Sequence, residues 1–157
     1  MASYHYLQLA IPMRKNGLAA IGVAGVLACA TSPKPSPIVG VWVVRHSSAP
    51  FQYHMYVFNG DGTMQQANPD AGNARTSDSD GKGIWAVDGD SIRGKWVEIR
   101  ADRETHGYIG RGEISFAVAV KGDSLNGGAS AQFYDAGGAP SDGPIVVDMT
   151  GNRVKLP

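Results

Sequence analysis

Few side chains in this 157-residue sequence have the chemistry of a reactive site. His54 sits in Tyr53-His54-Met55-Tyr56-Val57-Phe58, an alternating stretch that places His54, Tyr56 and Phe58 on one face. Turned inward, that face is a polar-tipped aromatic wall suited to a small amphipathic molecule. Glu113 follows Arg111 and opens the most apolar run of the chain. Buried, it would be a carboxylate with a raised pKa and a general base; at a barrel end it would pair with an arginine. His54, Glu113 and Tyr134 are therefore the catalytic candidates, in the manner of a cofactor-free isomerase, cyclase or hydratase.

The stretch 67–83 (ANPDAGNARTSDSDGKG) is polar and dense in residues that cap turns through their own side chains. A connection of this length is often a lid or contact loop, and Asn68, Asp70, Asn73 and Arg75 are its candidate ligand contacts. Asp78-Ser79-Asp80-Gly81 hints at a calcium loop, but Lys82 at the fifth position and Gly89 at the twelfth break the pattern. His46, His54 and His106 lack the spacing of a metal motif, so neither metal nor cofactor is expected. The chain has no G-x-S-x-G, phosphate loop or paired-carboxylate motif.

These residues lie on strand-like runs at 38–46, 53–59, 63–68, 82–88, 91–101, 107–121, 124–134 and 144–156. Gly and Asp punctuate most of the joints, as at Gly60-Asp61-Gly62, Gly89-Asp90 and Gly122-Asp123. No sustained helical period follows Pro37. About eight strands joined by short turns predict an all-β antiparallel up-and-down barrel, because closure removes exposed edges. Ile114, Phe116, Val118 and Val120 share one face, and Ser115, Ala117 and Ala119 the other. Period alone leaves either face free to point inward.

The front of the chain reads differently. Met13-Arg14-Lys15-Asn16 is a short positive stretch, and 17–28 (GLAAIGVAGVLA) is an uncharged run of the length of a signal-peptide core. Val26-Leu27-Ala28-Cys29 is like a lipobox, with Cys29 the lipidated residue; simple cleavage at Ala28-Cys29-Ala30 and an uncleaved helix are the alternatives. Residues 1–30 are thus expected to be a signal segment, with Met13 as an alternative start, 31–37 a Pro/Ser tether, and 38–157 the barrel. An exported protein follows, periplasmic, envelope-anchored or secreted, meeting membrane only through Cys29. The chain carries 14 basic and 14 acidic residues; loss of Arg14 and Lys15 leaves 12 and 14, a balance of −2. No basic stripe remains to hold nucleic acid.

Gly40-Val41-Trp42 on the first strand resembles the G-x-W signature of lipocalins and their calycin relatives, and Arg153 on the last strand is similar to the arginine that packs on that Trp. Phe58-Asn59-Gly60-Asp61-Gly62-Thr63 and Gly83-Ile84-Trp85 are similar to phrases in small lipocalin-like bacterial proteins. The resemblance implies a barrel closed at one end by Trp42 and a lumen that holds a small hydrophobic or amphipathic molecule. Beside that binding function stand the cofactor-free enzyme and a structural envelope protein with a filled core.

Overall fold

A computed structural model describes residues 35–157. The expected signal segment, most of the tether and the lipidation candidate Cys29 lie outside the described residues. Nine strands follow in order: β1 (Gly40–His46), β2 (Tyr53–Phe58), β3 (Thr63–Ala67), β4 (Thr76–Asp78), β5 (Gly81–Asp88), β6 (Ser91–Asp102), β7 (Tyr108–Lys121), β8 (Ser124–Asp135) and β9 (Pro140–Arg153). Eight of them form a closed antiparallel up-and-down barrel, each pairing with its chain neighbour and β9 returning to β1. The ninth, β4, is a short supplement. It pairs with the far end of β6, Thr76 opposite Asp102 and Asp78 opposite Arg100, where β5 no longer reaches.

Two boundaries differ from the sequence reading. The polar stretch 67–83 is expected to be loop throughout, yet Thr76-Ser77-Asp78 supplies the ladder that the long β6 would otherwise lack. The last strand begins at Pro140 rather than residue 144 and stops at Arg153.

Alternation decides which side chains enter the barrel. Trp42, Val44 and His46 of β1 are buried, as are His54, Tyr56 and Phe58 of β2 and Ile114, Phe116 and Val118 of β7. The bulky face of β7 is therefore the inner one. Glycines make room for the largest rings: a Cβ on Gly94 would sit 2.2 Å from Phe116, and one on Gly81 2.4 Å from Trp96. An eight-stranded barrel is just wide enough to be filled by side chains or to hold one small ligand. Its two ends differ: one is filled by side chains, and the other keeps a cavity.

The filled end lies where the chain enters β1 and leaves β9. Trp42 is fully buried and its indole N–H donates to the Ile38 carbonyl at 2.7 Å. Arg153, the cross-strand partner of Trp42, lies over the indole with its central carbon 4.3 Å from the ring centroid. The guanidinium also donates to the Val39 carbonyl at 2.6 Å and to that of Pro37, and pairs with Asp123 at 3.2 Å. The Trp and Arg thus pack as the lipocalin resemblance implies. Tyr56, Phe58, Phe116 and Trp85 continue the packing as tilted and edge-to-face rings with centroids about 6 Å apart.

Candidate functional site

Strand direction sorts the connections between the two ends. The tight Gly-Asp turns after β2, β5 and β7 lie at the Trp42 end, while the longer connections 47–52, 68–80 and 103–107 lie at the other. At that other mouth a cavity of about 370 Å³ opens into the barrel. Its floor is made by Trp96, His46 and His54, and its wall by Ile114, Ala131 and Phe133.

The floor is a relay of hydrogen bonds. The Trp96 indole N–H only donates, and it donates to the Tyr56 hydroxyl oxygen at 3.0 Å. The Tyr56 hydroxyl also bonds Nε2 of His46, 3.1 Å away, donating its O–H when the His46 ring proton is on Nδ1. Gln66 is oriented by the Gly81 N–H, which donates to Oε1 at 3.0 Å; its amide therefore donates to Nδ1 of His54 at 2.8 Å. His54 Nε2–H in turn donates to the Phe51 carbonyl at 3.0 Å. The two imidazoles lie 4.5 Å apart between centroids. Burial, with the neighbouring His54, lowers the His46 pKa to about 4, and burial lowers that of His54 as well. Both rings are neutral near pH 7.

Glu98 is the exception in this network. It lies on the inner face of β6 between Trp96 and Arg100 and is only 6 % exposed. Among the described residues its carboxyl has neither a hydrogen bond nor an ion pair. Burial first, then the charge of Asp78, raises its pKa to about 7. Arg100 on the same face is drawn instead to Asp78 at 3.3 Å and lies 4.8 Å over the Phe133 ring.

The polar loop is built around Asp70. Its carboxylate accepts from the Ser77 hydroxyl at 2.7 Å and the Asp78 N–H at 3.1 Å, and pairs with Arg103 at 3.0 Å. The Ser77 bond is the first cause of its lowered pKa. Asn68 accepts the Asp70 N–H at 2.8 Å, and Asn73 accepts the N–H groups of Arg75 and Thr76. Asn68, Asp70 and Asn73 all border the cavity, so the loop rims the mouth.

Of the residues singled out in the sequence, the structure brings His54, Asn68, Asp70 and Asn73 to the cavity. Tyr56 is fully buried beneath it and reaches it only through the His46 and Trp96 bonds; Phe58 lies deeper, in the filled half. Arg75 is exposed and stands away from the cavity. Two of the catalytic candidates lie outside the barrel. Glu113 has the strand parity of Ser115 and lies on the outer face, bound by Lys95 and, at 2.8 Å, by Arg111. Those contacts, Lys95 first, hold its pKa below the usual carboxylate value, the opposite of a base poised by burial. Tyr134 is Arg111's cross-strand partner outside the barrel and carries that guanidinium 4.3 Å over its ring. The triad His54, Glu113 and Tyr134 is not assembled.

No family model, curated protein or solved structure matches the chain. The functional reading therefore rests on the cavity itself. The residues that sequence reasoning missed are His46 and Glu98. Both carry a signal in their parity, His46 with Trp42 and Val44, Glu98 with Ile92 and Trp96. Among the described residues no three His, Cys, Asp or Glu side chains gather as a metal site would require.

Proposed function

We propose that this protein is a lipocalin-like binding protein that holds one small, mostly apolar molecule in the mouth of its barrel. The observation that carries the reading is the half-filled lumen. One end is plugged by the Trp42 and Arg153 stack, while the other keeps a cavity of about 370 Å³. That volume lies in the range of small-molecule sites, and the lining sets Trp96, Ile114, Ala131 and Phe133 beside polar groups such as His54, Asn68 and Glu98. The stack also supports kinship with the lipocalins. The front segment supports export, with Cys29 as the lipid attachment point; intact mass of the protein recovered from a bacterial envelope, with and without Cys29→Ser, tests this.

A second reading has one observation in its favour. A carboxyl with a pKa of about 7 facing a lumen is matched to proton transfer at neutral pH, so Glu98 would serve a cofactor-free isomerase, cyclase or hydratase. The binding reading is preferred because the other polar groups of the floor are committed to one another. Native mass spectrometry of the full chain separates the proposal from a filled-core structural role. A 1:1 adduct that disappears when the lumen is filled by Ala131→Phe supports binding. The absence of any adduct after incubation with apolar probes contradicts it.

A further inference from the structure

We propose that the molecule held in the lumen is an organic cation, a small amine whose apolar body fills the cavity and whose ammonium group is held by Glu98. This rests on the reading of the lumen as a binding site and names the chemical class of its occupant. The first observation is Glu98 itself, a buried carboxyl that borders the cavity and has no partner among the described residues. A buried carboxyl without a partner either keeps its proton or is completed by a cation. Its position is built: on the facing strand Gly112 leaves the space it occupies, and a Cβ there would lie 2.7 Å from Glu98 Oε1.

The second observation is the charge around it. From the loop and β4 come Asp70 and Asp78, from β9 Asp142, and from β6 Arg100; β1 and β2 bring His46 and His54, both neutral. Arg100 is engaged by Asp78, and Asp70 is answered by Arg103. Subtracting these two pairs leaves Glu98 and Asp142, so the mouth carries a surplus of negative charge. An anion would meet repulsion here, and a neutral molecule would leave the carboxylate unpaired. A cation removes both penalties, and the aromatic Trp96 borders the same cavity.

Proton linkage gives the inference a second signature. The cation binds the ionised carboxylate, and Glu98 has a pKa of about 7. Affinity for an amine should therefore climb with pH until about 7 and level off above it. Calorimetric titration of the full chain with 2-phenylethylamine and tryptamine, each beside its neutral alcohol, tests both signatures. At pH 8 the amines should bind about tenfold or more tighter than the alcohols, and this preference should vanish in Glu98→Gln. At pH 6 the wild-type preference should shrink while Glu98→Gln stays flat. Alcohols bound as tightly as amines, or a preference that survives Glu98→Gln, overturn the cation assignment and leave the lumen reading standing. So does binding of none of them by a protein that still takes up the neutral probe N-phenyl-1-naphthylamine. Failure to take up that probe as well overturns both readings.

Discussion

The carboxyl of Glu98 rests against the bare backbone of Gly112, its cross-strand partner, in a space that even a methyl group would close. The pairing explains how an acidic residue fits inside a narrow barrel. It also shows that the acid is held at a cost to the fold. Burial lifts the Glu98 pKa from 4.5 to about 7, so the folded state favours the protonated form. The unfolded chain gives up that proton at lower pH, and stability falls as pH rises from 4.5 to 7.

Glu98→Gln should therefore stabilise the protein at pH 8 by up to about 3 kcal/mol, with the gain fading as pH falls towards 4.5. Urea unfolding at both pH values reads this directly. Gly112→Ala should do the reverse, since the added methyl group displaces the carboxyl or strains the strand pair. We expect a loss of about 1–3 kcal/mol, in the range of overpacking elsewhere.

His46 contributes the opposite pH slope. Its folded pKa is lowered from 6.5 to about 4, so its contribution is whole above pH 6.5 and is lost as pH falls through that window. Between pH 4.5 and 6.5 the slopes of His46 and Glu98 oppose each other, and the wild type should show little pH dependence from the pair. With Glu98→Gln the slope of His46, joined by that of His54, is unopposed, and stability should then climb by about 3 kcal/mol or more from pH 4 to 6.5. A flat profile in that variant would show that His46 is not held neutral by burial.

Trp42 and Arg153 close the far end. Trp42→Ala removes a fully buried indole and should cost about 3–5 kcal/mol in denaturant unfolding with an unchanged m-value. Arg153→Met keeps an apolar stem over the indole but abandons the Val39 and Pro37 carbonyls. It should cost less, about 1–3 kcal/mol. Equal, negligible effects of both would mean that this end is not the plug of the barrel.

The barrel was legible because its signals are local. Gly-Asp turns punctuate strands of strict alternation, and Trp42 with Arg153 marks the first and last of them. β4 escaped because Thr76-Ser77-Asp78 has no apolar residue; it forms to complete the β6 edge, a tertiary demand with no local trace. The site was half legible. His54, Asn68 and Asp70 were visible from composition and loop length. Glu113 attracted notice for the apolar run around it, yet its parity with Ser115 puts it outside, in the grip of Lys95 and Arg111. Glu98 shares its parity with Ile92 and Trp96, but the neighbouring Ile99, which is half exposed, blurs the alternation. Choosing between two carboxylates on adjacent strands required knowing which face of each was inside.

The central claim is that the mouth of the barrel is an open site for one small molecule. Fluorescence titration of the full chain with N-phenyl-1-naphthylamine, a neutral apolar probe, tests it most directly. Ala131 borders the cavity, so Ala131→Phe fills the lumen from β8. The account predicts saturable enhancement at one probe per chain in the wild type, lost in Ala131→Phe while the melting temperature is kept. No saturable enhancement, or the same enhancement in Ala131→Phe, would contradict it.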